Sequence, residues 1–320
     1  MALRRITLWK KKKIAKNQMS DNSRVAEHVE ALSNAEFSEA CEWLTAFRSR
    51  TEPTDLPSEI SSSLAQLKAT FVASKNQACS KAIWCLQTVG LVQYHYLNAF
   101  ALMTAARHYA AWCELEKTEV CLHSLDRHLR DPKNIFGLEL IRNQIHAFQC
   151  LYPYKFFASP EIWHKECRCS VCDQIIKPRS RCHHRPGEIY DGEECFTVVK
   201  QMEFLAIAIV RVPVQKYSVI FEADPAVSGG EPNPLAYQMV EYVLRGLASP
   251  WNRFGLRWQE KRQPHSLFAD TELNDTCPCI APKGSYFECC RLTEGVLRPH
   301  LLIDFESQPP SDLQQEIFIQ

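Results

Sequence analysis

The run from Cys167 to Cys195 is the stretch that this chain can least easily fold unaided, because it is rich in metal-type donors and poor in apolar mass. Cys169 and Cys172 have two residues between them, so one tight turn aims both sulfurs at one point, and Cys182 and His184 form a second arm that can fold back onto it. Those four residues are the nitrogen and sulfur set that a closed tetrahedral zinc site needs. The intervening Lys177-Pro178-Arg179-Ser180 is polar and turn-forming, so the arms reverse without burying backbone groups they cannot satisfy. Cys167, His164, His183 and Cys195 are spare donors close by, and the choice among Cys167, Cys169, His183, His184 and Cys195 stays open at this level. The competing reading is a cysteine-rich loop of unpaired thiols. Pairs at this spacing in an intracellular chain favour metal.

The pattern is not that of a zinc finger that reads DNA, since the second arm lacks the long helix with two histidines that would enter a groove. With Gly187, Tyr190 and Gly192 following Cys182 and His184, and an apolar strand ending near Val212-Pro213, about fifty residues resemble small zinc modules of bacterial and phage-associated proteins. That resemblance implies a module and no activity. His164-Lys165-Glu166 before Cys169 superficially resembles the elements of zinc deaminases, but only Cys167 and Arg168 intervene where that family has a long segment. The zinc is read as structural, since a catalytic ion keeps one position open for water.

A second cluster lies near the end of the chain. Cys277-Pro278-Cys279 is followed, after nine residues, by Cys289-Cys290, and the Lys283-Gly284-Ser285-Tyr286 turn lets the chain double back. This closely resembles the SEC-C zinc motif, with a spacer one residue longer and Ile280-Ala281-Pro282 in place of a glycine-rich start. The resemblance implies Cys277, Cys279, Cys289 and Cys290 as ligands and partner docking as the role. The chain has no Gly-x4-Gly-Lys-Ser/Thr phosphate loop, so the ATPase activity of the translocation motor that carries such motifs does not transfer. Two Zn(2+) per chain are expected, with no small-molecule cofactor.

Composition sets outer limits. The 320 residues suffice for two or three cores, and 37 basic against 37 acidic residues exclude a surface that is wholly a nucleic-acid footprint. Fifteen cysteines without a visible signal peptide, seven of them in the two ligand sets, fit a reducing cytoplasm better than a disulfide framework. Residues 1–18 carry Arg4-Arg5, Lys10 to Lys13 and Lys16 without an apolar stretch to follow, which reads as a solvated tail or as an arm for RNA or an anionic surface. Ile83 to Ala106 is long enough to cross a bilayer, but Gln87, Gly90, Gln93, His95 and Asn98 make a buried core helix the better reading.

From Arg24 to about Cys150 the periodicity is helical. Asn34 is a plausible cap for a helix with Phe37, Ala40, Cys41, Leu44 and Phe47 on one face. Pro53 and Pro57 break it, and a second helix starts near Ser58 with Leu64, Leu67, Phe71 and Val72 inside. A long apolar helix follows from about Ala78 to Leu115, with Gly90 as a point of interruption, then Glu119 to Arg130, then Asn134 to Cys150. Short connections imply an antiparallel bundle. In the last helix Leu138, Ile141, Ile145 and Phe148 form the core stripe, and Glu139, Arg142, Asn143 and His146 share a neighbouring face. Arg142-Asn143-Gln144-Ile145-His146 resembles the Arg-spacer-His motif of HEPN domains, many of them ribonucleases, and so implies Arg142 and His146 as catalytic residues. The spacer is shorter than that family's, and a salt-bridged stripe of Glu139 with Arg142 and Asn143 accounts for the same residues.

Tyr152 to Phe157 reads as an aromatic connector from bundle to zinc module, its rings packed between the domains rather than stacked on the bases of single-stranded RNA. Phe196 to Val199, Phe204 to Val210 and Tyr217 to Phe221 read as short strands of a small sheet that carries the zinc loops. Asp224 to Pro234 is a boundary, and Leu235 to Leu247 a helix. The expected class is α+β: basic tail 1–23, helical bundle 24–151, zinc module 160–222, linker or subdomain 232–272 and zinc motif 273–305. The expected role is a cytoplasmic zinc-binding adaptor for a protein partner or RNA, without a transmembrane segment, and the alternative is a HEPN-like metal-independent ribonuclease.

Overall fold

The computed structural model describes residues 37–177, 179, 182–221, 234–311 and 313. The basic tail, the Asn34 cap, Pro178 and Ser180 of the inter-arm turn and the boundary over 222–233 lie outside the described residues. The class is α+β, with helices first and small antiparallel sheets after them. Two compact units divide at Ala236/Tyr237.

Among the described residues the first unit has five α-helices ahead of its strands: α1 (Ser38–Thr45), α2 (Ser58–Ala73), α3 (Gln77–Thr104), α4 (His108–Leu125) and α5 (Leu138–Leu151). The expected apolar face of α1 is buried at Phe37, Ala40, Leu44 and Phe47. The axis of the bundle is α3, in which Ile83, Cys85, Leu86, Val89, Val92 and Tyr96 have no solvent exposure. Among the described residues no helix is long and apolar enough to cross a membrane. Gln93, one of the polar residues that argued against a bilayer, is fully paired inside the bundle. Its Nε2 donates to Leu44 O at 3.0 Å and Phe136 O at 2.9 Å, and its Oε1 accepts from Arg50 Nη2 at 2.5 Å. One amide thus satisfies carbonyls that the end of α1 and the loop before α5 would otherwise leave bare.

The long helix does not break at Gly90, which lies buried inside α3 with the Leu56 side chain packed where a Cβ would sit. It ends instead at Ala105. Ala106 takes a left-handed φ of 55°, Arg107 N donates to Leu102 O and Ala106 N to Met103 O, which is the Schellman pattern with alanine where glycine is usual. Without a glycine or proline to mark it, this stop is invisible to residue type. The end of α2 repeats the device at Lys75, whose φ is 58°, with Asn76 N donating to Phe71 O. Asn76 then caps α3 by accepting from Cys79 N at 3.1 Å.

After the bundle the chain forms a long two-stranded ribbon, β1 (Phe157–Cys169) against β4 (Thr197–Val210), paired antiparallel from Phe157↔Val210 to Cys169↔Thr197 with three register shifts. The expected strands at Phe196–Val199 and Phe204–Val210 are therefore one strand, and the aromatic connector and first zinc arm run directly into its partner. Tyr217 to Phe221 docks on the outer edge of β1, where Ala158 N donates to Ser218 O and Ile220 N to Phe156 O. The connector's rings do pack: Trp112 lies among Tyr152, Tyr154 and Phe157, and its Nε1 donates to Lys216 O at 2.6 Å.

The second unit begins with α6 (Gln238–Gly246), which buries Met239, Val240, Tyr242 and Val243. A ribbon of β5 (Phe254–Gln263) and β6 (Val296–Phe305) follows, paired antiparallel over ten positions, with the one-turn helix α7 (Tyr286–Cys289) in the excursion between them. Strand β5 thus lies within the span 232–272 expected as a linker or subdomain.

Candidate metal centres

The first cluster grows from the end of β1. Asp173, at a left-handed φ of 55°, closes a knuckle in which Asp173 N donates to Cys169 O and Cys169 N to Gln174 O. Arg168 Nη1 braces it with a 2.8 Å bond to Asp173 Oδ2. The second arm is held by β2 (Ile189–Tyr190) and β3 (Glu193–Glu194), joined through Asp191-Gly192. Both residues take positive φ, 52° and 71°, as a type I′ hairpin turn requires. The tip of this turn is pinned to the helices: Asp191 N donates to Gln77 Oε1 at 2.9 Å, and Lys68 pairs with Glu193. His128 Nε2 lies 2.8 Å from Gly187 O. The helical half thus fixes the second arm, and β1 fixes the first.

These two arms bring one donor atom each from Cys169, Cys172, Cys182 and His184 within 4.8 Å of one another. Cys169 Sγ is 3.7 Å from His184 Nδ1. In a tetrahedron with metal–sulfur bonds of about 2.3 Å, neighbouring sulfurs stand about 3.8 Å apart, and a sulfur and a nitrogen slightly less. Burial raises the Cys169 thiol, but backbone N–H groups of Cys172 and Val171, with the thiols of Cys182 and Cys172, outweigh it and hold Cys169 down to about 6. One donor is therefore a ready thiolate, and a thiolate is the form that binds metal. The Tyr190 ring stands edge-on to His184, with centroids 4.7 Å apart, and its hydroxyl accepts from Arg185 N, which orients the imidazole.

The second cluster sits between β5 and β6. Cys277, Cys279, Cys289 and Cys290 place their sulfurs within 4.8 Å of one another. Cys279 and Cys289 are 3.7 Å apart and Cys289 and Cys290 3.9 Å, again the spacing of tetrahedral edges. The expected turn at Lys283 to Tyr286 is a helix start. Ser285 caps α7, its hydroxyl accepting from Glu288 N while Glu288 Oε2 accepts from Ser285 N, which is a capping box. Cys277 N donates to Gly284 O and Tyr286 N to Asp275 O, so the two cysteine pairs are tied back to back. Arg298 Nη1 donates to Pro278 O at 2.6 Å and anchors the first pair on β6. Cys277, Tyr286, Cys290 and Val296 form a small core of their own, in which two of the four members are the thiols themselves. Burial, then the neighbouring thiols, push Cys277 up to about 12, whereas the backbone N–H of Lys283 lowers Cys289.

Both clusters have the donor chemistry and spacing of sites that could hold a metal ion such as zinc. Each offers four protein donors, which leaves no position for a reacting water.

Cys167 and His164 lie on β1, and His183 borders the cavity beside the first cluster. Cys195 is the residue that the four-ligand reading left aside: it is buried, and its Sγ lies 3.9 Å from Cys169 Sγ.

Arg142 and His146 lie on α5 and line one open cleft of about 520 Å³, together with Glu119, Gln149, Val214 and Lys216. The partner of Arg142 is Asp126 at the end of α4, gripped through two bonds of 2.9 and 2.6 Å, in place of the expected Glu139. His146 Nε2 is 4.0 Å from Cys150 Sγ.

Comparison with known proteins finds no match to this chain among protein-family models, curated proteins or solved structures.

Proposed function

We propose that this chain is a zinc-binding docking protein of a reducing, cytoplasmic compartment. Cys169, Cys172, Cys182 and His184 hold one structural zinc, and Cys277, Cys279, Cys289 and Cys290, in the manner of the SEC-C motif they resemble, hold a second. The single observation that carries this reading is the pair of four-donor groups, each with its donor atoms within 4.8 Å. The second group lies in a region with little else to hold it: among the described residues the buried cluster around it contains only Tyr286 and Val296 besides cysteine. Zinc-edge X-ray absorption of the purified chain tests it. A sulfur-dominated first shell at about 2.3 Å is expected, and an oxygen-dominated shell would count against it.

The docking half of the proposal rests on the β1–β4 ribbon. Phe204, Leu205, Ile207 and Ile209 are all more than half exposed, on both faces of a strand without a charge between Phe204 and Val210. Contiguous exposed apolar surface of this kind marks interaction sites. The outer edge of β1 is covered near Phe156 to Ala158 by residues 218–220, and β4 has no second strand among the described residues. The partner that fits is an extended, apolar protein segment added to the free edge of β4, a mode in which main-chain bonds give affinity and alternate side chains give specificity. The absence of any cation over Phe204–Val210 argues for protein over RNA at this surface. Fluorescence anisotropy with labelled apolar strand peptides and with a single-stranded RNA should show peptide binding that Ile207→Lys abolishes. RNA binding unaffected by that change would move the assignment to nucleic acid.

One observation favours the ribonuclease reading, that Arg142 and His146 open on the same cleft. Against it, a guanidinium held by both oxygens of Asp126 is already committed. Cleavage of RNA by the purified chain, lost in Arg142→Ala and in His146→Ala, would establish the enzyme; the docking reading expects no cleavage to lose.

A further inference from the structure

The first centre gathers one donor more than a tetrahedral ion takes, four thiols and an imidazole. Cys195 stands two residues before Thr197, the β4 residue paired with Cys169, so the ribbon register itself delivers it beside the knuckle. Ser170 N donates to Phe196 O and Phe196 N to Ser170 Oγ, both at 3.0 Å, which clamps the residue after Cys195 to the residue after Cys169. The main chain of Cys195 is fixed on its other side, its N–H donating to Glu188 O and its carbonyl accepting from Gly187 N. The resulting Sγ to Sγ distance from Cys169 is 3.9 Å, equal to that between Cys289 and Cys290 in the second centre. Cys195 is 2% exposed and Cys169 3%, whereas Cys172 is open to solvent. A cavity of about 490 Å³ is lined by Cys169, Cys182, His184 and Cys195 together.

Cys169 is thus the common neighbour of two competing donors, His184 Nδ1 at 3.7 Å and Cys195 Sγ at 3.9 Å. We propose that Cys195 is a fifth donor of the first centre, able to take the corner of the tetrahedron that His184 otherwise fills. The exchange replaces a neutral imidazole by a thiolate, adds one negative charge to the site and makes it softer, with a stronger preference for zinc or copper(I) over harder ions. Nothing comparable is built at the second centre, where four thiols serve four corners among the described residues. This inference rests on the zinc-binding reading above.

Metal content of the full chain decides it, with the second centre as internal count. Wild type, His184→Ala and Cys195→Ala should each retain two zinc per chain, and the double variant should retain one. Cobalt(II) in place of zinc should show stronger sulfur-to-metal charge transfer in His184→Ala than in wild type, because the vacated corner is then sulfur. Unchanged helical circular dichroism identifies variants that fold. Loss of one zinc from either single variant that folds would overturn the interchange, and so would two zinc in the double variant. A wild-type chain without zinc would instead overturn the metal reading, and this inference with it.

Discussion

The sulfurs of Cys279 and Cys289 lie 3.7 Å apart although nine residues lie between them in the chain. Burial with the neighbouring thiols drives Cys277 of the same cluster up to about 12, so an ion bound there must displace a tightly held proton, at a cost. Apparent binding free energies of about 10–16 kcal/mol for structural zinc are available to offset that cost. Replacement of Cys290 by serine should therefore lower metal content by one zinc per chain and leave the segment 273–295 open to limited proteolysis. Metal analysis together with mass mapping of the first cleavage sites checks both outcomes.

Inside the bundle, Glu114 is buried between two partners, with Oε1 2.6 Å from Lys117 Nζ and Oε2 2.6 Å from His95 Nδ1. Burial raises its carboxyl, but the bonds from Lys117 and His95 outweigh that and hold it below the ordinary glutamate value. A lowered folded value means the contribution to stability is complete above the unfolded pKa of about 4.3 and is lost as pH falls through the folded value. Glu114→Gln should cost about 1–3 kcal/mol at neutral pH, and the cost should shrink on acidification. Urea unfolding at several pH values measures it.

Gly137 precedes α5 with a φ of 72°, and a Cβ there would meet Phe47 Cζ at 2.6 Å. Phe47 is itself buried, so it has little room to withdraw. Gly137→Ala combines a strained backbone with a clash and should destabilise the first unit by about 1–3 kcal/mol, read as a lower urea midpoint.

The ribbon and the bundle should respond oppositely to substitution. Ile207 is 63% exposed while Leu86 is fully buried. Ile207→Lys should change stability by no more than about 0.5 kcal/mol, whereas Leu86→Ala should cost about 2–5 kcal/mol. Thermal denaturation of the two variants side by side separates a surface kept apolar for docking from one needed for folding.

How far the sequence could be read follows from what each signal depends on. The start at Ser58 and the donor groups are local, set by proline placement and by cysteine spacing, and both were legible. The stop at Ala105 was not, because a left-handed alanine carries no residue-type mark and Gly90 offered a false one. Strand β1 was obscured by Pro160 and by side chains exposed on both faces, which erase the alternation that reveals a half-buried strand. Its partner β4 is apolar at every position from Phe204 to Val210, so it shows no alternation there either. Cys195 looked like a spare because only the β1–β4 register shows how close it comes to Cys169. Asp191-Gly192 is a local signal of the legible kind: it is a type I′ turn sequence, and it places the second arm against the helices.

The central claim is that both donor groups close around metal and that their surroundings depend on it. Native mass spectrometry of the purified chain, before and after a strong zinc chelator and with amide exchange followed in parallel, tests it most directly. Two zinc per chain are expected, with chelation removing exchange protection around 167–197 and 275–298 while α3 stays protected. A metal-free chain with both regions fully protected would contradict the account.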